Sequence, residues 1–255
     1  MIDTHCHLYD EAFDADRDAA VERAVAAGVG LMLLPGIDSL SHSRQEALAN
    51  QYPGRFRQMM GLHPTSVTAD FELELAIVKD KLFSPQARYV GVGEIGLDLY
   101  WDKTFLEQQR EVLKRQMVWA RQLGLPVCLH VRKAYNELFG LLRDLNWGSF
   151  RGVMHCFGGS VQEAHKAIEM GFHLGIGGVV TFKNATMADV VASVPLESLL
   201  LETDAPYLAP VPYRGKRNES AYIPVIAQKI AAIKDVPVAQ VDEVTSASAT
   251  VLFGL

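Results

Sequence analysis

Short apolar runs alternate along this chain with longer segments whose apolar positions recur at the helical period. The runs lie near Ile2 to Cys6, Gly30 to Leu34, Arg57 to Met60, Tyr89 to Gly93, Pro126 to His130, Gly152 to His155, Phe172 to Ile176 and Leu199 to Glu202. Their length and β-rich content predict strands. Between them, Phe105 to Leu123 repeats Leu106, Gln109, Leu113, Met117 and Ala120 along one helical face, and helices near Tyr222 to Ile233 and Val238 to Phe253 close the chain. Eight βα units predict an α/β protein built as a single (β/α)8 TIM barrel over residues 1–255, with an open doubly wound sheet as the alternative. The longest irregular stretch, Pro206 to Ala221, follows the last strand, where a loop of that length is expected to be functional.

In such a barrel the chemistry gathers where strands end and βα loops begin. His5-Cys6-His7 closes the first run, and alternation along a strand puts both imidazoles on one face. Glu94 follows Gly91-Val92-Gly93, His130 and His155 end the fifth and sixth runs, and Asp204 stands just past Leu199-Leu200-Leu201. Taken singly, each is an ordinary barrel histidine or a loop charge. Taken together, five strand ends each present a metal-ligand side chain. Four imidazoles and two carboxylates suffice for two divalent ions, with Glu94 able to bridge them. Such a site stays cationic, which suits a phosphate ester. Zinc or manganese matches the imidazoles for retention, and magnesium is compatible with turnover. Asp204, expected opposite the His-x-His segment in a closed barrel, is read as both a ligand and the base that takes a proton from the attacking water.

Around this core, His63 before Pro64 and Arg132 two residues past His130 are candidate substrate contacts, as are Lys183 and Arg214 in the loops after the last two strands. Lys216 and Arg217 extend that basic rim. Glu202, one step deeper than Asp204, is expected to orient a ligand, and Asp98 to act at most behind one. His42, His165 and His173 read as structural or exposed.

Composition narrows the partners. The chain has 255 residues, 49% hydrophobic and 21% charged, with a net charge of −6 and a pI near 5.7. No overall basic field is available to hold long duplex DNA, so a nucleic-acid substrate must be gripped locally, preferably at a single-stranded end. The three cysteines, Cys6, Cys128 and Cys156, form no CxxC pair and are expected to be reduced. No apolar run is long enough to span a membrane and no leader precedes Ile2-Asp3-Thr4-His5, so a cytoplasmic protein with no membrane association and no obligate protein partner is expected.

Several of these segments resemble the signatures of TatD-type metal-dependent hydrolases of the amidohydrolase superfamily: Asp3-Thr4-His5-Cys6-His7, Gly61-Leu62-His63-Pro64, Gly93-Glu94-Ile95-Gly96-Leu97-Asp98 and Glu202-Thr203-Asp204-Ala205-Pro206-Tyr207. The resemblance extends through His130-Val131-Arg132, His155-Cys156-Phe157-Gly158-Gly159 and Arg214-Gly215-Lys216-Arg217-Asn218 to nearly the whole chain. It implies a (β/α)8 fold, a two-metal centre and deoxyribonuclease activity of 3′ to 5′ exonuclease character. It further implies that His5, His7, Glu94 and Asp204 hold one ion, and that Glu94, His130 and His155 hold the other. The alternative function is cleavage of an amide or ester, such as an aminoacyl bond, since fold and ligand order alone do not separate phosphoryl from carbonyl chemistry.

Overall fold

The eight apolar runs form eight parallel strands in the computed structural model, which describes residues 1–183 and 186–255. They are β1 (Ile2–Asp3), β2 (Leu31–Leu34), β3 (Phe56–Met60), β4 (Gly91–Asp98), β5 (Val127–Arg132), β6 (Gly152–Met154), β7 (Phe172–Ile176) and β8 (Leu199–Leu201), each paired with the next in sequence. Between successive strands run α1 (Arg17–Ala26), α2 (Ser39–Gln51), α3 (Phe71–Leu82), α4 (Leu106–Leu123), α5 (Tyr135–Leu145), α6 (Val161–Glu169) and α7 (Met187–Ser193). Two further helices, α8 (Ile223–Lys234) and α9 (Val238–Phe253), complete the chain. This is a (β/α)8 barrel, not the open sheet.

Closure is made by hydrogen bonds at the seam between the first and last strands. The amide and hydroxyl of Thr4 both donate to Leu201 O, at 2.9 Å each. The amide of Asp204 donates to His5 O at 2.9 Å, and that of His7 donates to Ala205 O at 2.7 Å. A parallel bridge joins Cys6 to Ala205. β1 is therefore shorter than its apolar run: beyond Asp3 the chain pairs alternately with β2 and with the segment after β8, as when Cys6 N donates to Leu33 O.

The inward side chains Leu33, Met59, Cys128, Val153 and Leu200 fill the barrel and pack with Ala249, Leu252 and Phe253 of α9. Ile2, Leu31, Val90 and Leu255 pack against the same cluster. These include the first residues of β1 and β2, so α9 seals the end at which the strands begin. The opposite end, where the strands finish, is left for chemistry.

The other departure from the sequence pattern is in β4, which runs to Asp98 instead of ending at Gly93. Its register against β5 slips between Val92, opposite Val127, and Ile95, opposite Leu129. Gly93 and Glu94 thus share a bulge opposite Cys128, and a Cβ at residue 93 would lie 2.5 Å from that of Cys128. A bulge re-aims its side chain. Here it carries Glu94, whose amide donates to Gly36 O at 2.8 Å while Gly36 N donates to Gly93 O at 2.9 Å.

Candidate metal centre

Six of the eight strands, or the segments just past them, send a potential ligand to one place, and Glu94 stands in the middle of it. Its Oε2 lies 3.1 Å from His5 Nε2 and 3.8 Å from His7 Nε2. Its Oε1 lies 2.7 Å from His155 Nε2, 2.9 Å from His130 Nδ1 and 3.2 Å from His63 Nε2. The two oxygens of one carboxylate therefore face two separate groups of imidazoles. Asp204 Oδ1 joins the first group, 3.4 Å from His7 Nε2 and 3.7 Å from His5 Nε2. Donor atoms about 2.1 Å from one tetrahedral ion are about 3.4 Å from each other, which the 3.1–3.8 Å separations of the first group bracket, while the 2.7 and 2.9 Å contacts of Glu94 Oε1 are at hydrogen-bond distance.

Hydrogen bonds behind the rings decide which nitrogens face inward. Tyr9 donates its single hydroxyl proton to Pro35 O at 2.6 Å, so at 2.8 Å from His7 Nδ1 it must accept. His7 thus carries its proton on Nδ1, and the bare Nε2 points into the cluster. His130 donates from Nε2 to Asp98 Oδ2 at 2.9 Å, which leaves Nδ1 facing Glu94 Oε1 lone pair to lone pair unless a cation or a second proton intervenes. His5 and His7 likewise bring their Nε2 atoms within 3.2 Å of each other.

The electrostatics make the same demand. Burial opposes ionisation of Glu94, yet His155, His63 and His5 hold its carboxyl well below the usual range. Asp204 is also held low, burial being outweighed by its contact with His7 and by the nearby His155 and His5. His5 falls to about 4 through burial and the neighbouring His155, which leaves a neutral ring with a free lone pair. Burial also disfavours charge on His155, but Glu94, Glu202 and Asp204 push it up to about 10. The pocket calls for positive charge, and its converging nitrogen and carboxylate donors suit a divalent ion.

Among the described residues, three groups of side chains bring ligand atoms together closely enough to hold an ion: His5, His7 and Asp204; His63, Glu94 and His130; and His5, His155 and Glu202. All six expected ligands are therefore gathered. His63, expected only as a substrate contact, is buried in the donor cluster itself, and its Nδ1 accepts from the amide of Thr65 at 3.1 Å. Glu202 lies beneath His155, with Oε1 3.8 Å from His155 Nδ1 and accepting from the amide of Cys156. Burial pushes Glu202 up to about 8. It fits only because residue 175 is glycine: a Cβ there would lie 2.1 Å from Glu202 Oε2. Asp98 backs His130, as anticipated.

Of the expected basic rim, Arg132 is exposed, with its guanidinium carbon 3.9 Å from the Tyr100 ring centre. Lys183 is exposed in the segment after β7, and Arg214 lies 4.7 Å over the ring of Phe182. Arg217 is corrected: both terminal nitrogens of its guanidinium are taken by Asp16, at 2.6 and 2.8 Å, so it braces the loop against α1. His42 is buried in α2, His165 is exposed on α6, and His173 is half-buried in β7. The cysteines are free thiols, and burial pushes each well above its usual pKa. None belongs to a donor group among the described residues.

The sequence matches the family described as TatD related DNase over residues 2–254. It is 36% identical over 254 residues to YabD of Bacillus subtilis, named an uncharacterized metal-dependent hydrolase, covering 99% of this chain and 98% of that one. It is 31% identical over 261 residues to the 3′-5′ ssDNA/RNA exonuclease TatD of Erwinia amylovora, covering the whole of both. The crystal structure of YjjV, a TatD homolog from Escherichia coli, superposes with a TM-score of 0.93 at 32% identity, covering 100% of this chain and 98% of that one. The chain therefore belongs to the TatD related DNase family and is a metal-dependent hydrolase.

Proposed function

We propose that this protein is a nuclease that hydrolyses the phosphodiester bonds of single-stranded or frayed nucleic acid from the 3′ end, using two divalent ions bridged by Glu94. The split of the Glu94 carboxylate between two imidazole groups carries this reading. His5, His7, Glu94 and Asp204 would hold one ion, and Glu94, His130 and His155 would hold the other, with His63 beside it. Two ions so placed supply charge to polarise the phosphoryl oxygen, acidify a water and stabilise the leaving oxygen. Asp204, held anionic beside His7 and His5 at 3.4 and 3.7 Å, accepts the proton from the attacking water. Asp98 and Tyr9 fix the rings of His130 and His7 from behind. Arg132, Lys183 and Arg214 attract the phosphate backbone locally in a chain of net charge −6. The names of relatives such as the Erwinia amylovora exonuclease support the substrate class.

Elemental analysis paired with a turnover panel tests the proposal. Up to two zinc or manganese ions per chain are expected, with one site emptied in the His5→Ala/His7→Ala variant. Turnover is expected on single-stranded DNA and RNA above blunt duplex and above uncharged esters. Metal-free protein with full activity overturns the centre. Arg132→Ala that leaves strand cleavage unchanged, with ester turnover the faster reaction, replaces the nuclease reading with carbonyl hydrolysis.

A further inference from the structure

The loop that follows β4 carries two large aromatic rings into solvent: Trp101 is 70% exposed and Tyr100 is 52% exposed. Exposed rings of this size leave much of their apolar area in water, yet these two are held in place. Asp98 Oδ1 accepts from the amide of Tyr100 at 2.8 Å and from that of Trp101 at 3.3 Å. Its other oxygen accepts from His130 Nε2. One carboxylate thus fixes the aromatic loop with one oxygen and a proposed metal ligand with the other.

The rings meet edge to face, with centres 5.0 Å apart. The Arg132 guanidinium lies 3.9 Å from the centre of Tyr100 and 5.3 Å from that of Trp101. By register Arg132 sits opposite Asp98, and by alternation it shares the face of His130. Its side chain has no carboxylate partner among the described residues, so its charge stays available at the mouth.

We propose that Tyr100, Trp101 and Arg132 form a subsite that stacks against an unpaired nucleobase of the strand whose phosphodiester lies at the Glu94 cluster. The inference rests on the nuclease reading and adds to it the feature that selects single strands. Every base offers an aromatic face, but inside a duplex both faces are covered by neighbours, so only an unpaired or terminal base can lie on such a platform. Arg132 adds the positive charge that attracts the backbone beside that base. Because stacking uses a face common to all bases, the subsite discriminates strandedness and is tolerant of sequence.

The test compares an oligonucleotide bearing all its bases with the same strand carrying abasic sites, which keeps the phosphates and removes the faces. Trp101→Ala is expected to lower kcat/KM on the complete strand about 5- to 150-fold. Trp101→Phe should keep most of the activity, and Trp101→Ala should match the parent on the abasic strand. Equal losses on both strands, or no loss on either, overturn the platform. Binding of the two strands, read as the fluorescence anisotropy of a label on the strand end, separates the two readings. Preference for the complete strand in binding, without cleavage of either, sinks the nuclease reading and keeps the platform. Cleavage of the complete strand with equal binding of both sinks the platform and keeps the nuclease.

Discussion

Asp204 occupies a left-handed backbone conformation, φ 58°, which aspartate tolerates better than most residues. Its amide is bonded across the seam to His5 O, so the side chain is aimed at the His-x-His pair by its own main chain. Asp204→Asn keeps that shape and removes the proton acceptor. The expected outcome is a fall in kcat of about 10²- to 10⁴-fold, with metal retained at least by Glu94, His130 and His155. Steady-state rates paired with metal analysis check it, and a metal-replete variant within about threefold of the parent would assign the proton to another group. The six proposed ligands were legible in the sequence because each terminates an apolar run. The closeness of His63 to Glu94 was not, because it depends on the β4 bulge, and a bulge leaves no periodic trace. Arg217 misled for another reason. Its partner, Asp16, lies 201 residues away in sequence, and no local pattern separates a paired arginine from a free one.

At the scale of elements, the pairing of Arg217 shows how the long segment after β8 is held. Asp16, at the start of α1, binds both Arg217 and Arg23, while Glu219 accepts from Arg23 at 2.6 and 3.0 Å. Within the loop, the Asn218 side chain donates to Thr203 O and Tyr207 O, at 2.7 and 2.6 Å, just beside Asp204. The helix α1 thus braces the turn that presents Asp204. The Arg217 guanidinium, with help from Arg23, keeps the Asp16 carboxyl below its usual pKa against the opposing effect of burial. A lowered folded pKa contributes stability that is present above the unfolded value, about 3.9, and is lost as pH falls toward the folded one. The stability advantage of the parent over Asp16→Asn is therefore expected at neutral pH and should shrink below about pH 4. Urea titrations of both proteins across that range check it, and an advantage that grows in acid would contradict the sign. Of the nine α-helices among the described residues, the sequence pattern bounds three, α4, α8 and α9, each to within a residue, and leaves the other six unplaced. β1 and β8 were overextended, because their apolar runs continue into segments that pair singly across the seam.

On the scale of the whole molecule, the proposed ligands come from β4 and β5 and from the segments just after β1, β6 and β8, so a bound ion would tie together strands that are remote in sequence. A ligand that binds only the folded state stabilises it by mass action, about 2.7 kcal/mol at a hundredfold excess over Kd. For a chain of this size that corresponds to a rise in Tm of about 5–10 °C on metal loading. Thermal melts with and without a chelator measure it, and identical curves would argue against ions that cross-link the strands. The seam between β1 and β8 has a consequence for a chain made from its N-terminus. His5 and His7 are made almost two hundred residues before Asp204, the carboxylate proposed to complete their group, and the hydrogen bonds that aim it join Thr4, His5 and His7 to residues 201–205. Until residue 204 has been synthesised, the proposed first site has only an incomplete set of ligands and no carboxylate base beside it.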